Sequence, residues 1–108
     1  MKEIIGFICP ECFKIQEDVR LWYEELVVQY PQIRENTIDY GKPEIKEVFE
    51  SGVQFLECRH EAYEDIENLV IYADYKNKTL SSPFFEELLD EEKEKVLRVN
   101  SMQDWKIL

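Results

Sequence analysis

Two cysteines lie two residues apart at Cys9 and Cys12, in the run "FICPECFK". A third cysteine and the single histidine of the chain stand together at Cys58 and His60, in "ECRH". A C-x-x-C turn aims two sulfurs at one point, and Pro10 stiffens that turn. In an extended segment, residues two apart face the same side, so C-x-H presents a sulfur and an imidazole together. Zinc takes these donors in a tetrahedron, with Zn–S at about 2.3 Å and Zn–N at about 2.0 Å. Cys9, Cys12, Cys58 and His60 are therefore a candidate ligand set for a structural zinc ion. With all four positions filled, the ion has no open site at which to activate water or polarise a substrate. Its role would be to tie the start of the chain to its middle.

Two other readings of the thiols stay open. Cys9 and Cys12 could cycle between thiol and disulfide, or all three cysteines could be inert, since free cysteine is among the residues most often buried. Redox chemistry needs a depressed thiol pKa, which a helix starting beyond Cys9 would favour. Glu11 and Glu57 work against it, because nearby negative charge disfavours a thiolate.

Composition narrows the function classes. The 108 residues, 44% of them hydrophobic, make one domain spanning 1–108, large enough for a core and small enough to gain from a metal staple. Fourteen aromatics (two Trp, six Tyr and six Phe) argue for a packed globule. The net charge is −11, from 24 acids and 13 bases, which repels nucleic acid phosphates and anionic membranes. It suits a protein partner with a basic surface, including one that normally holds a nucleic acid. The acids of Glu61–Glu67 would then act as a phosphate mimic; a solvated loop is the plainer reading. No run is long and apolar enough to span a bilayer, and "MKEIIGF" does not read as a signal peptide. An odd cysteine count fits a reducing compartment, so a cytoplasmic location is expected. The sequence leaves the oligomeric state open.

Periodicity sets the secondary structure expected around the candidate ligands. "EIIGFI" (3–8) reads as a buried strand ending at Cys9. Ile15, Val19, Trp22, Tyr23, Leu26, Val27 and Tyr30 recur at helical spacing, which predicts a helix closed by Pro31. "IRENTIDY" (33–40) is a second strand. "PEIKEVFESG" predicts a short helix with Pro43 in its first turn and Gly52 as its stop. "VQFLEC" is extended. "NLVIYADYKNKTL" is a strand, a polar turn at Lys76–Lys78 and a partner strand. A last helix runs from Pro83 to Val99, with Ser82 as its N-cap.

This order, with "FICPECFK" after the first strand and "IDYGKPEIKEVFESGV" further on, resembles the thioredoxin and glutaredoxin fold over residues 3–56. The resemblance implies an α/β, three-layer domain with a central mixed sheet of about four strands and about three helices. It also implies an oxidoreductase in which Cys9 attacks and Cys12 resolves. The family's cis-proline has no counterpart here, since no proline lies between Pro43 and Pro83 and "ECRH" stands in its place. That replacement would still face the pair, carrying Cys58 and His60 to it. The alternative architecture is an α+β domain containing a zinc ribbon. The resulting expectation is a small, acidic, intracellular, zinc-stabilised protein acting as an interaction or regulatory module more than as an enzyme, with a thioredoxin-like thiol–disulfide oxidoreductase as the alternative.

Overall fold

A computed structural model describes residues 2–23, 27–41 and 51–108. Its framework is two antiparallel-dominated sheets and a separate hairpin. The first strand, β1 (Glu3–Ile8), behaves as its apolar run demands. Phe7 and Ile8 are both wholly buried although they point to opposite faces, which marks a strand covered on both sides. It pairs antiparallel with β9 (Val70–Asp74), in the register Phe7↔Val70 and Ile4↔Tyr72, with a bulge between Ile4 and Gly6. On its other edge lies β2 (Ile15–Gln16), with Ile8 opposite Ile15. At Gly6 a Cβ would come within 2.9 Å of the Gln16 carbonyl oxygen, so the missing side chain lets the two backbones approach. β10 (Thr79–Ser81) and then β11 (Lys106–Ile107) complete a five-stranded sheet in the order β11-β10-β9-β1-β2, with β10 and β11 parallel. The polar turn expected at Lys76–Lys78 does join β9 to β10, with Lys78 in the left-handed region.

The second sheet has the order β4-β3-β7-β8, from β3 (Val19–Tyr23), β4 (Val27–Gln29), β7 (Ser51–Phe55) and β8 (Glu61–Ala62). Here the sequence reading is corrected. The helix expected from Ile15 to Tyr30 is absent among the described residues, where Ile15–Gln16, Val19–Tyr23 and Val27–Gln29 form β2, β3 and β4. In β3, Val19 and Leu21 are buried while Arg20 and Trp22 between them are only partly so, an alternation with period two. Pairing of Val19 with Phe55 and Leu21 with Val53 outweighs the local helical spacing. "IRENTIDY" is not one strand but the hairpin β5 (Gln32–Arg34) and β6 (Thr37–Asp39), turned by Glu35 and Asn36 at positive φ. The short helix expected over 43–52 lies largely outside the described residues. Its presumed stop, Gly52, is in β7 beneath the Trp22 ring, where a Cβ would sit 2.8 Å from ring atoms.

The final helix is also revised. Ser82 caps as expected, its hydroxyl accepting from Phe84 N at 3.2 Å, but the chain then forms a 3-10 turn over Pro83–Glu87. Leu88 and Leu89 are extended, and α2 (Asp90–Val99) then starts afresh, with Glu92 accepting from the Leu89 backbone N–H. The remaining described helix is the single turn α1 (Ile66–Leu69). Strands thus outweigh helices, and the expected thioredoxin-like three-layer α/β arrangement with about three helices does not describe the chain. The core draws on both sheets and α2, with Phe7, Val53, Phe55, Leu69, Ile71, Leu80, Phe85 and Val96 fully enclosed. Among the described residues no helix is long and apolar enough to cross a membrane.

Candidate metal centre

Each half of the predicted ligand set sits in the loop of a β-hairpin. The first loop joins β1 to β2. Its Cys9 N–H donates to Lys14 O at 3.1 Å, and Phe13 N–H donates to Cys9 O at 2.8 Å. That closure places Phe13 at φ 65°, a left-handed conformation for a bulky side chain. The strain is held by packing: Phe13 is buried, meets Phe84 edge-on and lies under the Lys95 ammonium. The second loop joins β7 to β8. Phe55 N–H donates to His60 O and Arg59 N–H donates to Phe55 O, both at 2.8 Å, with Arg59 at positive φ. Leu56 N–H reaches across to Asp18 O at 3.0 Å, fastening this loop to the segment before β3.

The two loops meet. One donor atom from each of Cys9, Cys12, Cys58 and His60 lies within 4.8 Å of every other, so all four predicted residues converge. In a zinc tetrahedron with bonds of about 2.3 Å, sulfurs stand about 3.8 Å apart. The observed cluster is thus within about 1 Å of the bonded arrangement. The site could hold a metal ion, and its thiolate and imidazole donors suit zinc.

The electrostatics of the loops act differently on two of the thiols, raising one and lowering the other. Burial pushes the Cys9 thiol up to about 12, against the pull of the Cys12 and Glu11 backbone N–H groups directed at it. Burial also opposes ionisation of Cys58. There the His60 backbone N–H, the Gln16 amide, the His60 ring and Cys12 outweigh it and draw the thiol down to about 7. Glu57 does not press on the thiols as the sequence suggested, because its carboxylate pairs with Lys14 across the two loops at 2.6 Å. Both partners of that pair are well exposed, so it contributes little to stability.

One ring nitrogen of His60 belongs to the donor cluster. Its Nε2 faces the Glu11 carboxylate at 3.6 Å, whereas its Nδ1 is buried and has no hydrogen-bond partner. A buried ring nitrogen without a partner is rare, and a metal ion would satisfy it. Glu11 stands beside the other ring nitrogen as an ion-pair neighbour, beyond hydrogen-bond reach.

Two residues at the site were not legible from spacing. Gln16, in the segment expected to be helical, is 3% exposed and hydrogen-bonded to Cys58. Asn100, just beyond α2, accepts from Ile15 N at 2.8 Å and donates to Phe13 O at 2.7 Å, clamping the first loop. A polar residue in a two-residue strand and an asparagine at a helix end carry no sequence mark of such roles.

The oxidoreductase reading fails on the same geometry. Cys9, the presumed attacking thiol, is completely buried and its pKa is raised, the reverse of what a nucleophilic cysteine needs. Comparisons of the chain with known protein families, with curated proteins and with solved structures found no match, so the thioredoxin resemblance has no support there either.

Proposed function

We propose that this is a small acidic protein stabilised by one structural zinc ion, held by Cys9, Cys12, Cys58 and His60, and acting as a protein–protein interaction or regulatory module. The observation that carries the metal reading is the convergence of four zinc-type donors from two separate hairpin loops. The set is complete at four, so the ion would join loops and do no chemistry on a substrate. Metal binding then contributes folding free energy by fixing the first loop against the β7–β8 loop.

The partner is a protein with a basic surface rather than a nucleic acid or a membrane. The net charge of −11 supports this. So does an open groove of about 360 Å³ beside the second loop, where Glu17 and Asp18 border the exposed Tyr30 and Leu56. The mix of acidic and apolar lining fits a segment that offers basic and apolar side chains. Elemental analysis of protein purified without chelator tests the metal reading, with about one zinc per chain expected; folded, metal-free protein would refute it. For the partner, binding that weakens steeply with salt is expected, and salt-insensitive binding would count against a basic surface.

A further inference from the structure

The buried side chain of Gln16 joins the two halves of the centre. It lies in β2 opposite Phe7 and is almost completely enclosed. Its Nε2 donates to Cys58 Sγ at 3.2 Å, and also approaches Lys14 O in the first loop at 3.4 Å. Its Oε1 accepts from the Cys58 backbone N–H at 3.3 Å. One amide thus grips residue 58 by both sulfur and backbone while reaching back to the loop that carries Cys9 and Cys12. A thiol is a weak acceptor, whereas a metal-bound thiolate carries charge, and hydrogen bonds to charged groups are about twice as strong. The Gln16 donor therefore favours ionised sulfur at Cys58, the form a metal ion binds, over the protonated thiol.

We propose that Gln16 is a positioning residue of the metal centre, donating to the Cys58 sulfur and so setting how tightly the ion is held. This rests on the metal reading given above. Partners of this kind typically alter metal affinity by about 10–100-fold. Gln16→Glu keeps the shape and the acceptor for Cys58 N but points an oxygen at the thiolate. Gln16→Met keeps the volume and removes both polar atoms.

The test is competition of zinc against a chelator for the wild-type protein and both variants. Affinity should fall by about 10–100-fold in Gln16→Glu, with a smaller loss in Gln16→Met. The cobalt-loaded proteins give a readout that packing alone would not move. Losing a donor raises the energy of the sulfur electrons, so the sulfur-to-cobalt charge-transfer band should shift to longer wavelength in both variants. A third measurement needs no mutation. In wild-type protein loaded with an NMR-active cadmium isotope, the Gln16 side-chain amide proton should be split by the metal through the hydrogen bond. If wild-type protein binds none of these ions, the metal reading itself is overturned. If it binds them but the variants match it in affinity and band position, the Gln16 proposal alone is overturned. Should neither variant fold, the cadmium coupling decides, and an unsplit Gln16 amide overturns the proposal.

Discussion

Replacing Asn100 by alanine should unfasten the first loop from the C-terminal helix without touching a ligand. In the native protein Asn100 Oδ1 accepts from Ile15 N, and its Nδ2 donates to Phe13 O and to Val96 O. The Val96 carbonyl also accepts from the Asn100 backbone N–H, so it keeps a partner in the variant. The Ile15 N–H and the Phe13 carbonyl each lose the Asn100 side chain. An unsatisfied buried group costs about 1–3 kcal/mol. Both bonds are only part-buried, so water recovers some of the loss and the sum is about 2–3 kcal/mol. Against a total stability of about 5–15 kcal/mol for a domain, that is a large share. Asn100→Asp should be worse. It retains the acceptor for Ile15 but turns an oxygen towards the Phe13 and Val96 carbonyls. Urea unfolding of the zinc-loaded proteins, followed by circular dichroism, measures both. A loss below about 0.5 kcal/mol in Asn100→Ala would show that the clamp is not needed, since surface changes fall in that range. An aspartate variant as stable as wild type would refute the donor geometry.

Three further outcomes are expected from the same structure. Gly6→Ala should destabilise by about 1–3 kcal/mol, because its Cβ would meet the Gln16 carbonyl at 2.9 Å; an unchanged melting temperature would show that β1 and β2 need not approach so closely. Zinc must displace the proton of each ligating thiol, and Cys58, drawn down to about 7, is mostly ionised at about pH 8 but mostly protonated at about pH 6. Binding should therefore release more protons, and be weaker, at the lower pH; calorimetry in buffers of different ionisation enthalpy measures this, and equal release at both values would contradict it. Glu11→Gln should weaken zinc retention by up to about 10-fold through its contact with His60 Nε2, whereas Glu57→Gln, which removes only an exposed pair with Lys14, should leave retention unchanged; equal behaviour of the two in a chelator competition would refute the distinction.

The candidate ligand set was readable because each half depends on short-range geometry. C-x-x-C and C-x-H each define a tight loop, and the zinc-type donors at Cys9, Cys12, Cys58 and His60 narrow the chemistry. The strands at 3–8 and 70–74 were readable for a related reason, since a buried apolar run bounded by polar residues has few other uses. The chain from Ile15 to Tyr30 misled because its apolar positions satisfy a helical repeat, while the deciding interactions lie far away in sequence. Val19 finds Phe55 and Trp22 finds Gly52, and no window around residue 20 contains that information. The break at Leu88 and Leu89 was hidden for another reason: neither glycine nor proline marks it, and the fresh start at Asp90 is set by one side-chain contact from Glu92. Gln16 carried no sequence mark at all, since a lone amide beside Ile15 gives no sign that it reaches Cys58.

X-ray absorption at the zinc edge, on protein purified without chelator, is the sharpest test of the centre. Three sulfurs at about 2.3 Å and one nitrogen at about 2.0 Å around a single ion per chain are the expected result. Protein that folds without zinc, or an ion surrounded by oxygen with no sulfur in its shell, would contradict it.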